Sequence, residues 1–496
     1  MERNFCACLV PLLWLCKVQG QLSGSLSGTI ASPTQTPPST CDVAIVGGGP
    51  GGIYAAYRIL EGASRNGSLI VCVLEATGRV GGRVYSVRKL GEKGDLTVDM
   101  GAYRYNQERH GLVRDVVENL LKLPIRPYQA SKPNLKIIVT NNGANAGFTT
   151  YVEGLLRLAL DRGLNITFNA RVVAINETQQ GFLLELANGH VVSARSVILN
   201  LPAVPLHRLL ANSNLPDRTY NPQLFAPYAT TGAKVYLYYP KAWWIAQGLT
   251  DGDFIASPVW PPIKFPFGGR FYDGQVKCSP KNDSNAPTLD FTAAQASTLD
   301  LQSCYGFLQV FYEAEHTTGN FSVPYPQEFS FQPFAYFRDY ADARNPDTPY
   351  FVFNNATPEG SHFLHTAHTQ LVGMLKSKGT NLADNTVEDL PTQAVVALWD
   401  PSVSWAGGAW HYYKDTNDSS VANVASSVQP FPKLRLYVAS EAYSVYQHWC
   451  EGTLIMAENV VRTHFNATVP AWMGQETAQR VLFGPSYNEF RGPGEP

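Results

Sequence analysis

At 496 residues the chain is too long for one core, so two or three domains are expected. With 45% hydrophobic and 16% charged residues it reads as globular, and a net charge of -2 with no Lys/Arg run leaves no electrostatic footprint for nucleic acid. Aromatic residues make up 12%, which suits aromatic-lined pockets and equally suits a large mixed-sheet core.

In chain order, residues 1–20 place Arg3 before an apolar run from Phe5 to Cys16 that is too short to span a bilayer. Val18 and Gly20 then precede Gln21 in the manner of a cleavage site, so 1–20 reads as a signal peptide and the chain as secreted. Residues 21–40 are Ser, Thr, Gly and Pro with little to bury, a flexible leader. No other stretch is long and apolar enough for a membrane span. Sequons at Asn66, Asn165, Asn176, Asn282, Asn320, Asn417 and Asn466 are compatible with a glycoprotein. Five cysteines follow the signal segment, leaving at least one free thiol. Cys278 and Cys304, both in a Pro-rich polar region, are the natural pair, whereas Cys72 inside LIVCVLE reads as a buried, inert thiol.

The segment DVAIVGGG is a short apolar strand and GGIYAAYRILEGA a helix, with Gly47, Gly49 and Gly52 in the G-x-G-x-x-G positions between them. Gly47 allows the tight turn, Gly49 lets the backbone approach a pyrophosphate, and Gly52 permits close helix–strand packing. A second strand, SLIVCVLE, ends at Glu75, where a carboxylate would accept ribose hydroxyls and repel a 2′-phosphate. Arg79, Gly82 and Arg83 follow, forming a second phosphate-approaching turn that a nicotinamide enzyme does not need.

This E-x-x-x-R-x-G-G-R pattern after a Rossmann strand resembles the flavin-containing amine oxidase superfamily, and the resemblance implies FAD. The segment LRLYVASEAYSVYQHWCEGTLIMAENVVRTHF resembles that family's C-terminal flavin segment. It implies that Glu441 meets the ribityl or pyrophosphate region and that Trp449 lies beside the ring system. The helix after Gly452 would then aim its N-terminus at the ring, with Leu454, Ala457, Val460 and Val461 as its apolar stripe. A middle segment beginning GFTTYVEGLL resembles the part in which the backbone at Val172 or Val173 meets the adenine. In TTGAKVYLYY, Lys234 matches the family lysine that holds a water by the flavin and supports O₂ reduction.

Two pieces bear on substrate. VDMGAYRYNQERHGLVRDVVENLL resembles the secreted L-amino-acid oxidases, which implies that Arg104 grips a substrate carboxylate; a structural arginine is the alternative, with Glu108 close by. SWAGGAWHYYKD, containing Trp405, Trp410, Tyr412 and Tyr413, resembles the strand that walls the pocket, where desolvation favours the neutral amine.

The chain also departs from those oxidases. Only Lys122 to Ala146 separate two segments between which the family carries a helical insertion, while Ile245 to Tyr340 is long and holds Cys278 and Cys304. The resemblance implies a second carboxylate contact near FAYFRDY, at Tyr336, Phe337 or Arg338. His362, His365 and His368 recur every three residues, which drifts round a helix and reads as a solvated face rather than a metal site. No metal is expected.

The expected fold is α/β, a discontinuous Rossmann-like FAD-binding domain (41–100, 147–229, 425–467) with a mixed-sheet substrate domain (101–146, 230–424) and a C-terminal tail (468–496). The expected function is oxidative deamination of L-amino acids by O₂ to 2-oxo acid, ammonia and hydrogen peroxide. The alternatives are a secreted amine or polyamine oxidase, or a flavin-binding protein without turnover. Oligomeric state is left open.

Overall fold

The computed structural model describes residues 36–63, 69–129, 132–215, 222–250, 252–255, 268–271, 273–283, 286–315, 337–338, 340, 349–383, 386, 388–402, 407–413 and 426–481. The signal segment, most of the leader, the end of the tail, Tyr336, Trp405 and three sequons (Asn66, Asn320, Asn417) lie outside these.

Among the described residues two large sheets, of seven and eight strands, dominate, with three small ones of two or three strands beside them. The first is built on parallel strands whose side chains are buried on both faces, as the unbroken apolar runs require. Thr40–Val46 lies between Val71–Leu74 and Val191–Leu199, parallel to both, and Asn165–Thr167 adds beyond Val71–Leu74. Val191–Leu199 is the longest strand of this sheet, and two partners share its far edge. Its first half pairs antiparallel with Gly181–Leu186, and its last three residues pair parallel with Leu436–Val438. That pairing brings the C-terminal segment to the same sheet end as the glycine turn after Val46.

The helix Pro50–Ala63 leaves the glycine turn and packs against Cys450–His464. The latter is buried from Glu451 to Val461, so it is a core helix rather than one with a single apolar stripe. The two helices are joined by a buried ion pair: Arg58 donates to both oxygens of Glu458 at 3.0 Å, and the Tyr54 hydroxyl donates to the same carboxylate at 2.8 Å.

Cys72 is not an inert thiol. It forms a disulfide with Cys41, because the neighbouring parallel strands bring the two Cα atoms within 6.0 Å, a proximity the local apolar pattern does not reveal. Cys278 pairs with Cys304, and among the described residues Cys450 is outside any disulfide.

The second sheet is antiparallel around Thr231–Tyr239, all nine residues of which are buried. Leu299–Glu315 flanks it on one side and Gln393–Trp399 on the other. Beneath lies the helix Pro358–Ser377, started by Thr357, whose side chain accepts from the Gly360 N–H, and by a proline in its first turn. His362 and His365 are exposed on this helix. His368 is buried, its ring bonded to the Tyr239 hydroxyl and the Thr386 carbonyl, so it serves the core. No helix among the described residues is long and apolar enough to cross a membrane.

Candidate active site

A cavity of about 370 Å³ runs from the glycine turn of the first sheet to the central strand of the second. Of the residues singled out from sequence, Gly47, Gly49, Glu75, Arg79, Gly82, Arg83, Val172, Lys234, Trp410, Glu441 and Trp449 line it. Gly52, Gly452 and Arg104 do not.

The turn itself is a backbone cradle. Gly47 has φ +102°, and a Cβ there would stand 2.5 Å from the Asn200 carbonyl. A Cβ on Gly49 would stand 2.8 Å from Asn200 Oδ1, and one on Gly52 would overlap the Gly47 carbonyl. Gly52 is thus set for helix–strand packing and Gly49 for close approach. A Cβ on Gly452 would overlap the Ser444 hydroxyl, so that glycine too serves packing.

Glu75 leaves Val71–Leu74 with both oxygens held. Oε2 accepts from the Gly48 N–H at 2.6 Å, and Oε1 accepts from the Thr77 N–H at 2.8 Å and hydroxyl at 2.7 Å. Arg79 donates to the Gly82 carbonyl at 2.9 Å and stacks over Tyr85 at 3.8 Å, which fixes the second glycine turn. Arg83 donates to Glu441 at 2.6 Å. Burial opposes ionisation of Glu441, yet Arg83, His411 and the His448 N–H hold its carboxyl well below the usual carboxylate range.

Lys234 comes from the middle of Thr231–Tyr239. Its Nζ donates to the Gly101 carbonyl at 2.7 Å and the Asp99 carbonyl at 3.1 Å, and lies 4.1 Å from the Tyr103 ring centre. An ammonium has three N–H donors, so the two carbonyls leave one, with the Tyr103 and Tyr312 rings beside it. Burial pushes this lysine down to about 8, against the pull of Asp273 and Asp99. Trp410 and Trp449 contribute flat walls. Trp410 Nε1 donates to the Tyr412 hydroxyl at 3.2 Å, and Trp449 precedes Cys450–His464, with Cys450 and Thr453 of that helix also facing the cavity.

Arg104 is half-buried and does not line the cavity. Its guanidinium lies 4.6 Å from the Tyr103 ring and 4.8 Å from the Tyr128 ring, sharing the former with Lys234. No carboxylate pairs with it among the described residues, and Glu108 is exposed, its backbone N–H donating to Asn106 Oδ1 at 3.0 Å. Phe337 is fully buried against Phe311 and Phe351, and Arg338 pairs with Asp400 at 2.7 Å. Neither lines the cavity.

Sequence reasoning missed Asn200, whose Nδ2 donates to the Ala439 carbonyl and, at 3.0 Å, to Thr453 Oγ1, tying three segments at the turn. It also missed Tyr312, His448 and His411. A polar residue closing the apolar strand ILN was the one local signal for Asn200. His448 carried none, although it holds φ +75° without being glycine.

A profile of NAD(P)-binding Rossmann-like domains matches residues 45–120, and one of flavin containing amine oxidoreductases matches 128–357. The chain is similar to the flavin-containing amine oxidoreductases over a little under half of its length. Its oxidoreductase sequence is 35% identical over 81 residues to Aplysianin-A of Aplysia kurodai, 16% of this chain and 14% of that protein. It is 32% identical over 101 residues to Achacin of Lissachatina fulica, 20% of this chain and 18% of that one. The matches therefore span less than a fifth of either relative's length. The cofactor of these oxidoreductases is FAD, and the residues present fit it. Gly47 and Gly49 keep the turn open to a pyrophosphate, Glu75 is fixed at its edge, and the cavity is mainly apolar and ends at a helix N-terminus.

Proposed function

We propose that this protein is a secreted oxidase that converts an L-amino acid, O₂ and water into a 2-oxo acid, ammonium and hydrogen peroxide. The observation that carries the amino-acid reading is Arg104. A cation set beside the cavity wall, stacked on two tyrosines and paired with no carboxylate among the described residues, is served by a counter-ion that arrives with substrate.

When bound, FAD supplies the two-electron acceptor for the C–H bond and the donor to O₂. The glycine turn and Glu75 hold and orient it. Trp410 and Trp449 exclude water and lower the local polarity, which favours the neutral amine whose lone pair assists C–H cleavage. Arg104 fixes the substrate by its carboxylate. Lys234 keeps a positive charge and one N–H at Nζ for the O₂ step. The two disulfides agree with an oxidising compartment and support secretion.

A second reading, an amine or polyamine oxidase, is favoured by one observation: Arg104 does not line the cavity. One experiment separates the two. Peroxide release is measured for a panel of L-amino acids and their decarboxylated amines, on the parent and on Arg104→Ala. The amino-acid reading expects the variant to lose about 10²-fold or more in kcat/KM for the amino acid, as for a buried charge left unpaired, and nothing for the amine. A parent that oxidises only amines, or a variant weakened equally on both, refutes it.

A further inference from the structure

His411 belongs to the strand His411–Tyr413, next to Trp410. Side chains alternate along a strand, so Trp410 serves the cavity wall while His411 turns the other way, where it is fully buried. Its two ring nitrogens have different partners. Nε2 lies 3.4 Å from the Ala203 backbone N–H, and Nδ1 lies 3.0 Å from Glu441 Oε2. A backbone N–H can only donate, so Nε2 carries the lone pair and the proton sits on Nδ1, donating to the carboxylate. Arg83 Nη1, 3.3 Å from Nδ1, is then a donor facing a donor, and its guanidinium binds through Nη2 to Glu441 at 2.6 Å. Burial lowers the imidazole's proton affinity, in keeping with the neutral ring.

Glu441 is therefore gripped from three sides. Oε2 receives Arg83 and His411, and Oε1 receives the His448 N–H at 2.6 Å. Glu441 lines the cavity and His411 does not. We infer that His411 is a positioning residue for FAD, orienting the Glu441 carboxylate toward the cofactor and locking the wall strand of Trp410 to the cofactor-binding segment. The inference rests on FAD occupying this cavity and is independent of the substrate class.

The test uses binding rather than turnover. FAD is removed and titrated back into the parent, His411→Phe, His411→Asn and His411→Gln, with flavin fluorescence giving Kd and thermal melting of the FAD-free proteins giving stability. Asn places an N–H near the position of Nδ1–H, Gln places its amide farther out, and Phe keeps the ring without a donor. His411→Phe and His411→Gln should raise the FAD Kd about tenfold or more, as for a lost hydrogen bond to a charged group, and His411→Asn should restore it to within a few-fold. If His411→Phe does not fold, the Asn–Gln comparison decides alone. An unchanged Kd in His411→Phe, or Asn and Gln weakening binding equally, overturns the inference. Failure of the amino-acid reading would leave these Kd values untouched.

Discussion

Replacing Lys234 by Met keeps the length and much of the packing of a fully buried side chain while deleting its charge. Two opposite consequences follow from the same proton. In the folded protein the ammonium is held by two carbonyls at 2.7 and 3.1 Å, but burial outweighs them and brings the group from its ordinary 10.5 to about 8. That interval is equivalent to about 3 kcal/mol. The folded state binds this proton less tightly than the unfolded chain. Lysine 234 therefore costs stability below about 8, and stability is regained as pH rises from about 8 toward 10.5. Lys234→Met removes that cost, so the variant should out-melt the parent below pH 8, with the gap closing above it. Function should move the other way. Stopped-flow mixing of reduced enzyme with O₂ should show reoxidation falling as pH rises through about 8 in the parent. In Lys234→Met reoxidation should be slower by about 10²-fold and independent of pH in that range. Anaerobic reduction by substrate should change little. A parent profile flat across pH 8, or equal slowing of both half-reactions, refutes the assignment.

Gly52→Ala puts a Cβ against the Gly47 carbonyl, so the turn must shift; FAD should be lost on gel filtration, with a melting loss equivalent to about 1–3 kcal/mol. Cys72→Ser opens the Cys41 bridge across a sequence separation of 31, and should cost about 3 kcal/mol in denaturant unfolding, which Cys450→Ser should not. Glu451 accepts from the Leu112 and Val113 N–H groups, yet burial raises it from 4.5 to about 7. Its folded-state proton is held more tightly than in the unfolded chain, so stability should fall as pH rises from 4.5 to about 7, and Glu451→Gln should flatten that slope in a melting series.

What the sequence discloses here follows from how local each feature is. Gly47, Gly49, Gly52 and Glu75 belong to one strand–turn–helix–strand unit, so spacing alone positions them. Cys72 was misread because the apolar alternation around it reports burial but not which residue the next strand carries. Asn200 and His411 act on Ala439, Thr453 and Glu441, residues far along the chain that only the sheet order brings near. Lys234 was legible through family resemblance alone, since a strand buried on all nine positions gives no alternation to mark one side chain as facing a cavity. For Arg104 the pattern does not convey that its guanidinium packs on the Tyr103 and Tyr128 rings, off the cavity lining.

The shared edge of Val191–Leu199 has a consequence for biosynthesis. Its partner Leu436–Val438, and with it Glu441 and Trp449, leaves the ribosome long after the glycine turn and the other four parallel strands. At about 5–20 residues per second, the nascent chain exposes an unfinished nucleotide bed for roughly ten seconds or more. Completion of the cavity by the C-terminal segment is thus a late event. A chain truncated before residue 436 would keep the glycine turn's residues and Glu75 but lack Glu441, Trp449 and the helix N-terminus that end the cavity.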